Sequence, residues 1–261
     1  MKKDTVKNGF GKFLGNSAVP AAAAFLAALY LLFLLSLEIM PALAKASRKL
    51  PVYSVETDEK KIAISFDAAW GADKTREIMD ICDANGVKAT FFLVGFWVEK
   101  YPEITREIHE RGFEIGTHSM THPNLPGLSE EKITSELTES VKLIENASGC
   151  KVRLFRPPFG DYDNKLISIC EKLDIQAIQW DVDTLDWKGL SAAEILQRVE
   201  KYVRKGSIIL CHNNSKHITQ ALPLIFGAMK GRGYEFVTVG NLVYRNDFTI
   251  DHTGRQFKNA R

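Results

Sequence analysis

The chain has 261 residues, enough to bury the core of one α/β barrel or of two small domains. Lys and Arg number 34 against 32 Asp and Glu, a net charge of +2 with no long basic block. That balance argues against a nucleic-acid-binding protein, which needs a basic patch or stripe. The four cysteines, Cys82, Cys150, Cys170 and Cys211, show no CxxC spacing and sit in apolar-periodic segments. They read as small buried hydrophobes, not as a disulfide framework or a zinc cluster.

No charge falls between Lys12 and Glu38, and Ala18 to Leu37 is almost wholly apolar. That length suits a transmembrane helix and exceeds the usual apolar core of a cleaved signal peptide. Lys2, Lys3, Lys7 and Lys12 precede it, which puts residues 1–17 in the cytoplasm and the remainder outside, on a single-pass anchor over 18–37. Ala42-Leu43-Ala44 is also a small-x-small cleavage site, so a long signal peptide cut after Ala44, releasing a secreted protein, stays open. Residues 38–60 read as a linker, polar from Ala44 on and containing Pro51.

Strand-like and helix-like segments then alternate. Strand-like runs cover Lys61–Phe66, Ala89–Val94, Phe113–His118, Arg153–Arg156, Ile175–Trp180, Ser207–Cys211 and Glu235–Val239. Helical periodicity fills Asp73–Asn85, Val98–Arg111, Ser129–Ala147, Asp163–Leu173, Ser191–Val203 and Ile218–Lys230. Ser129, Asp163 and Ser191 suit N-caps, whose side chains accept from the unpaired N–H groups of a first turn. Strict alternation means a parallel sheet with helices outside, and seven units in residues 61–244 fit a barrel. Residues 245–261 are polar with little periodicity and read as a mobile tail.

In such a barrel the chemistry gathers where strands end. The first strand ends Phe66-Asp67-Ala68-Ala69-Trp70-Gly71 and the third ends Gly116-Thr117-His118-Ser119-Met120-Thr121-His122-Pro123. Two imidazoles four residues apart can share one metal ion, and a carboxylate placed after a buried strand suits a general base. The fourth strand ends Phe155-Arg156-Pro157-Pro158-Phe159-Gly160, a rigid loop whose arginine can fork onto a carboxylate. The fifth gives Trp180-Asp181-Val182-Asp183-Thr184-Leu185-Asp186-Trp187, and the sixth Leu210-Cys211-His212, with Leu210 and His212 on one face. Asp181 and Asp183 share a face, so spacing alone does not assign a partner to His212. Trp70, Trp180 and Trp187 lie near these motifs, and for each, sugar contact and core packing are both open.

These five motifs, in this order, resemble the polysaccharide deacetylases of carbohydrate esterase family 4, the NodB-homology domain, over about Lys61 to Tyr244. Phe-Asp-x-Ala-Trp-Gly and Trp-x-x-Asp-x-x-Asp-Trp-Lys are similar to the sporulation-associated, PdaB-like subtype. The resemblance implies an α/β fold, a distorted (β/α)7 barrel behind the N-terminal transmembrane helix. It implies metal-assisted removal of N-acetyl groups from cell-wall polysaccharide, with peptidoglycan as substrate and zinc or cobalt as the divalent metal. By the same resemblance Asp67 is the base, Arg156 holds it, His118 and His122 bind the metal, and His212 is the catalytic acid. Asp183 belongs to the motif whose carboxylate tunes that acid, the Phe159 backbone N–H serves the oxyanion and Leu210 lines the acetyl pocket; Trp187 joins the substrate residues on its aromatic face alone, not by the resemblance. One position departs from the pattern. The family usually places a second aspartate, a metal ligand, where this chain has Ala68, which cannot ligate. A glycan-binding pseudoenzyme with a weak or absent metal site is therefore the competing expectation.

Overall fold

Strand β2 (Lys61–Ala68) is the axis of the barrel, and period two divides its side chains between two environments. Ile62, Ile64, Phe66 and Ala68 join the apolar layer beneath the helices. Ala63 packs in a second, inner cluster, and Asp67 shares that inward side. In this computed structural model residues 24–36 and 48–259 are described. The chain divides into two units, residues 1–48 and 49–261.

Within the first unit, residues 24–36 form helix α1 with exposed side chains. At 1.5 Å per residue α1 is roughly 20 Å long, against roughly 30 Å of membrane hydrocarbon. No helix of the described residues is long and apolar enough to cross a membrane. The expected anchor over 18–37 extends beyond α1 at both ends, into residues outside the described ones, as does the cleavage site at Ala44.

In the second unit, β1 (Ser54–Val55) and β2 lead to α2 (Thr75–Ala84), β3 (Thr90–Leu93), α3 (Gly95–Lys100) and α4 (Pro102–Glu110). Then come β4 (Glu114–Thr117), α5 (Glu130–Ser148), β5 (Leu154–Phe155), α6 (Asn164–Lys172), β6 (Gln176–Ala177) and β7 (Val182–Asp183). The chain closes with α7 (Ala192–Tyr202), β8 (Ile208–His212), α8 (Ile218–Gly231), β9 (Glu235–Val237), α9 (Val239–Leu242), β10 (Phe248–Ile250) and β11 (Arg255–Lys258). Eight parallel strands form one sheet in the order β6-β5-β4-β3-β2-β8-β7, with β9 beside the start of β2. The side chains of Ser129, Asp163 and Ser191 cap α5, α6 and α7 as expected.

Edge strands β6 and β7 do not pair with each other, which is the distortion of the barrel. The segment read as linker bridges that seam. The Val52 N–H donates to Ala177 O, Gln179 N–H donates to Val52 O, and Val55 N–H donates to Gly206 O. Val52 and Val55 are buried there, at about 1.5–3 kcal/mol per buried aliphatic side chain. Gly206 has φ +77, and a Cβ on it would meet Val55 O at 1.8 Å, so only glycine fits.

Three expectations need correcting. The helix expected over Val98–Arg111 is two, because Pro102 starts α4 and cannot continue α3. A separate strand, β7, follows β6, where one strand ending at Trp180 was expected. Residues 248–258 are not a loose tail. Strands β10 and β11 form an antiparallel hairpin, and β11 pairs in parallel with β1.

Candidate active site

The register of the sheet assembles the chemistry at one end of the barrel. Asp67 and His212 are paired residues on the neighbouring strands β2 and β8. His118 follows β4 directly and Arg156 follows β5, with the Arg156 N–H donating to Thr117 O. Four of the expected residues therefore converge because parallel strands end in register.

Asp67 and Arg156 form a buried ion pair. Arg156 Nη1 donates to Asp67 Oδ1 at 2.8 Å, and Nη2 donates to Gln179 O at 3.2 Å. The guanidinium, fully buried, lies over the Phe92 ring at 4.1 Å, and its Nε has no hydrogen-bond partner. Burial by itself would raise the Asp67 carboxyl, but the Arg156 guanidinium above all, with the neighbouring histidine rings, outweighs it and holds the group below its usual range. Asp67 is thus a carboxylate at neutral pH, able to receive a proton.

His118 Nδ1 lies 2.7 Å from Arg156 O, so in the neutral ring that nitrogen carries the proton and Nε2 carries the lone pair. Nε2 is 3.6 Å from Asp67 Oδ2. Burial, partly countered by Asp67, keeps the His118 ring less basic than usual. His122 sits in a cage of ring edges: His118 at 4.8 Å, Phe159 at 4.6 Å and Trp70 at 5.1 Å. Burial and the neighbouring His118 push it down to about 4. Both imidazoles are therefore neutral at pH 7, the form that binds metals, and His118 has the carbonyl-anchored Nδ1 typical of such ligands.

His212 is built the opposite way. Its Nδ1 lies 2.7 Å from Asp186 Oδ1 and its backbone N–H donates to Asp186 Oδ2 at 2.8 Å. Burial alone would lower this ring, but the hydrogen bond and charge of Asp186 raise it, which favours the protonated, proton-donating form. This corrects the expectation for Asp183. That carboxylate turns back to accept from the Leu185 N–H at 2.8 Å, while its carbonyl accepts from Arg198 Nε. The reason is a left-handed turn at Leu185 (φ 51), which swings the next residue, Asp186, beneath His212. Asp181 is occupied at the start of β8, accepting from the Ile208 N–H and the Ser207 hydroxyl.

The substrate-facing expectations divide by exposure. Leu210 is buried on β8, two residues before His212. Phe159 (φ 60) and Trp187 are 65% and 58% exposed, and Trp70 is 66% exposed, so an aromatic rim stands in solvent at this end. Ala68 is buried in the layer beneath the helices. Among the described residues no group of three or more His, Cys, Asp or Glu is placed to hold a metal ion. The donor set thus fits a divalent ion in type, as two neutral imidazoles, and lacks the third protein ligand usual at catalytic zinc. Glu136, in the middle of α5 and unnoticed in the sequence, reaches the loop that carries His122.

A cavity of about 510 Å³ opens elsewhere, lined by Glu114, Arg153, Thr238 and Arg245 near the N-terminal ends of β4 and β5. Its half-buried carboxylate, Glu114, is committed to the Thr90 hydroxyl and the Gly240 N–H, a structural tie between β3, β4 and α9.

An ionised carboxylate beside a raised histidine, with two neutral imidazoles between strand ends, defines an acid/base hydrolase site on a barrel. Residues 54–178 match the model of the polysaccharide deacetylase family. A peptidoglycan-N-acetylglucosamine deacetylase of Bacillus cereus is 31% identical over 194 residues, covering 73% of this chain and 70% of that protein. The Bacillus subtilis protein YlxY is 31% identical over 193 residues, 74% of this chain, which spans only 60% of YlxY. Among solved structures, wild-type BA3943, a pseudoenzyme of this family from Bacillus anthracis, matches with a TM-score of 0.72 and 32% identity. That match covers 80% of this chain and 73% of BA3943. The chain belongs to the polysaccharide deacetylase family.

Proposed function

We propose that this chain removes N-acetyl groups from amino sugars of cell-wall glycan, peptidoglycan in the first place, with a divalent ion, zinc or cobalt, as cofactor. What supports this reading most is that both proton-handling groups are held in the charge states the reaction needs, Asp67 ionised and His212 raised. The similar enzyme of Bacillus cereus carries that activity in its name. Asp67 takes the proton from the attacking water, and Arg156 fixes the carboxylate while doing so. His212, steadied by Asp186, gives its proton to the departing amine, which is otherwise too poor a leaving group. Leu210 sits where an acetyl methyl would be received, the Phe159 N–H is the backbone donor for the oxyanion, and exposed Trp187 and Phe159 offer faces to sugar rings. His118 and His122 would hold the ion, which supplies Lewis acidity to the amide carbonyl.

Location belongs to the same proposal: the apolar stretch 18–37 behind four lysines supports a barrel outside the membrane, tethered or released. The Phe-Asp-x-Ala-Trp-Gly motif supports a role in sporulation.

A second reading, a glycan-binding pseudoenzyme, is favoured by Ala68 and by the likeness to BA3943, of which a variant with restored enzymatic activity is also similar to this chain. Acetate release from N-acetylated glycan by the full chain, with and without zinc or cobalt, separates the two when Ala68→Asp is run beside it. Metal-dependent acetate from the natural sequence supports the hydrolase. Acetate from the variant alone assigns the natural chain to binding, and silence from both rejects the substrate class.

A further inference from the structure

His122 lies in the loop after β4, outside any helix or strand, where Ser119 (φ 69) and His122 (φ 58) both adopt left-handed backbone. Such conformations cost a non-glycine residue energy and persist only where surrounding contacts over-determine them. Three sets of contacts do so, one of them within the loop, where the His122 N–H donates to Ser119 Oγ at 3.0 Å. On one side, the first N–H groups of α3 take the loop's carbonyls, Gly95 N–H to Ser119 O at 2.9 Å and Phe96 N–H to Met120 O at 3.1 Å. Gly95 allows this approach, since a Cβ there would lie 2.9 Å from Met120 O. On the other side stands one carboxylate. Glu136 Oε2 accepts from the Met120 N–H at 3.0 Å and the Thr121 N–H at 2.8 Å, and Oε1 accepts from the Thr121 hydroxyl at 2.7 Å. Glu136 is 2% exposed, and its nearest cation, Lys132 Nζ, is 3.9 Å away on the outer face of α5.

A buried carboxylate is costly unless its lone pairs are filled. Here all the filling comes from two consecutive residues immediately before His122, and none from the apolar neighbours of Glu136 on α5. We propose that Glu136 is a positioning residue for His122, fixing through the Met120–Thr121 backbone where the imidazole stands against His118. The proposal rests on the reading of His118 and His122 as the metal-holding pair. It gives α5, which carries none of the site motifs, a function at the cleft. With Ala68 in place of an aspartate, the preset separation of the two rings is what remains to define the ion's position.

The test uses the full chain with Glu136→Ala and the conservative Glu136→Gln, which keeps an acceptor for the two N–H groups. Proton contacts from the His122 ring to the Phe159 and Trp70 rings are read by NMR, with the Phe91–Phe113 contact as a measure of intact core. Zinc affinity is read separately by chelator competition. In Glu136→Ala the His122 contacts vanish while the core contact stays, and zinc affinity falls roughly 10- to 100-fold, the usual cost of removing an outer support. Glu136→Gln retains both. His122 contacts unchanged in Glu136→Ala, or lost only together with the core contact, would overturn the proposal. If the alanine variant does not fold, Glu136→Asp decides: a carboxylate withdrawn by one methylene must shift the His122 contacts, and unchanged contacts refute the role. A natural chain that takes no zinc counts against the hydrolase reading, whereas the ring contacts still decide the role of Glu136.

Discussion

Asp186→Asn is the sharpest single perturbation, because it leaves shape and removes charge. Asp186 is 1% exposed and directs both carboxylate oxygens at one residue, His212 Nδ1 at 2.7 Å and the His212 N–H at 2.8 Å. An asparagine keeps one acceptor and presents an NH2 where the other stood. The bond to a charged group is worth about 1.5–3 kcal/mol, and at 1.36 kcal/mol per tenfold that is a loss of roughly 10- to 150-fold in acid-assisted amine departure. The pH profile must move in a definite direction. Asp186 raises His212 above its ordinary 6.5, so its contribution to stability is complete below 6.5 and is lost as pH rises through the folded value. In the variant burial is opposed only by the lesser charge effects of Asp67 and Asp183, the ring deprotonates at lower pH, and the basic limb of acetate release shifts to lower pH with it. The assay pairs NMR titration of the His212 ring with acetate release measured across pH. A His212 midpoint that does not fall would refute the assignment of Asp186, and a parallel loss in Asp183→Asn would return the role to Asp183.

Arg156→Met strands the Asp67 charge in the interior, a loss of about 3–5 kcal/mol, or roughly 6–20 °C in Tm at this size. Asp67 is held below its ordinary 3.8, so its stabilising effect is present above that value and lost as pH falls through the folded one; melts of Arg156→Met should lack this acid-side dependence. Histidine NMR should place the His122 midpoint at about 4; a His122 midpoint near 6.5 contradicts the ring cage. Gly206→Ala should destabilise the fold by well over the ~0.5 kcal/mol of an ordinary surface change, read as a fall in Tm, since its Cβ has no space beside Val55 O, and a neutral result would mean the seam is not closed as described.

Where sequence sufficed, regular backbone carried the side chain. Asp67, His118, Arg156 and His212 end parallel strands, so alternation and strand order were enough to gather them. Asp186 was hidden because its position depends on a left-handed turn at Leu185, and a leucine gives no warning of φ 51 where a glycine would. Glu136 was hidden because Ser-Glu-Leu-Thr-Glu looks like any solvated helix face; only its alignment with buried Ile133, Leu137 and Ser140 marks it as inward. The C-terminal hairpin escaped because its inward residue is polar: Gln256, fully buried, is satisfied by Tyr244 through both ends of its amide, in place of an apolar signal.

Charge balance gives Ala68 its meaning. In the cleft, Asp67 and Arg156 cancel, a protonated His212 and Asp186 cancel, and the two imidazoles are neutral, so the described groups sum to no net charge. A divalent ion entering beside His118 and His122 must bring its own counter-charge from solvent or substrate, where the family's second aspartate would have supplied one unit from the protein. Affinity should therefore rise with the anionic character of the medium, and chloride or acetate should strengthen zinc uptake by the natural chain. In Ala68→Asp the same anions should matter less, because the protein supplies the charge. Equal anion dependence in both would mean that position 68 lies outside the field of the two histidines, and that Ala68 is a packing residue of the helix layer alone.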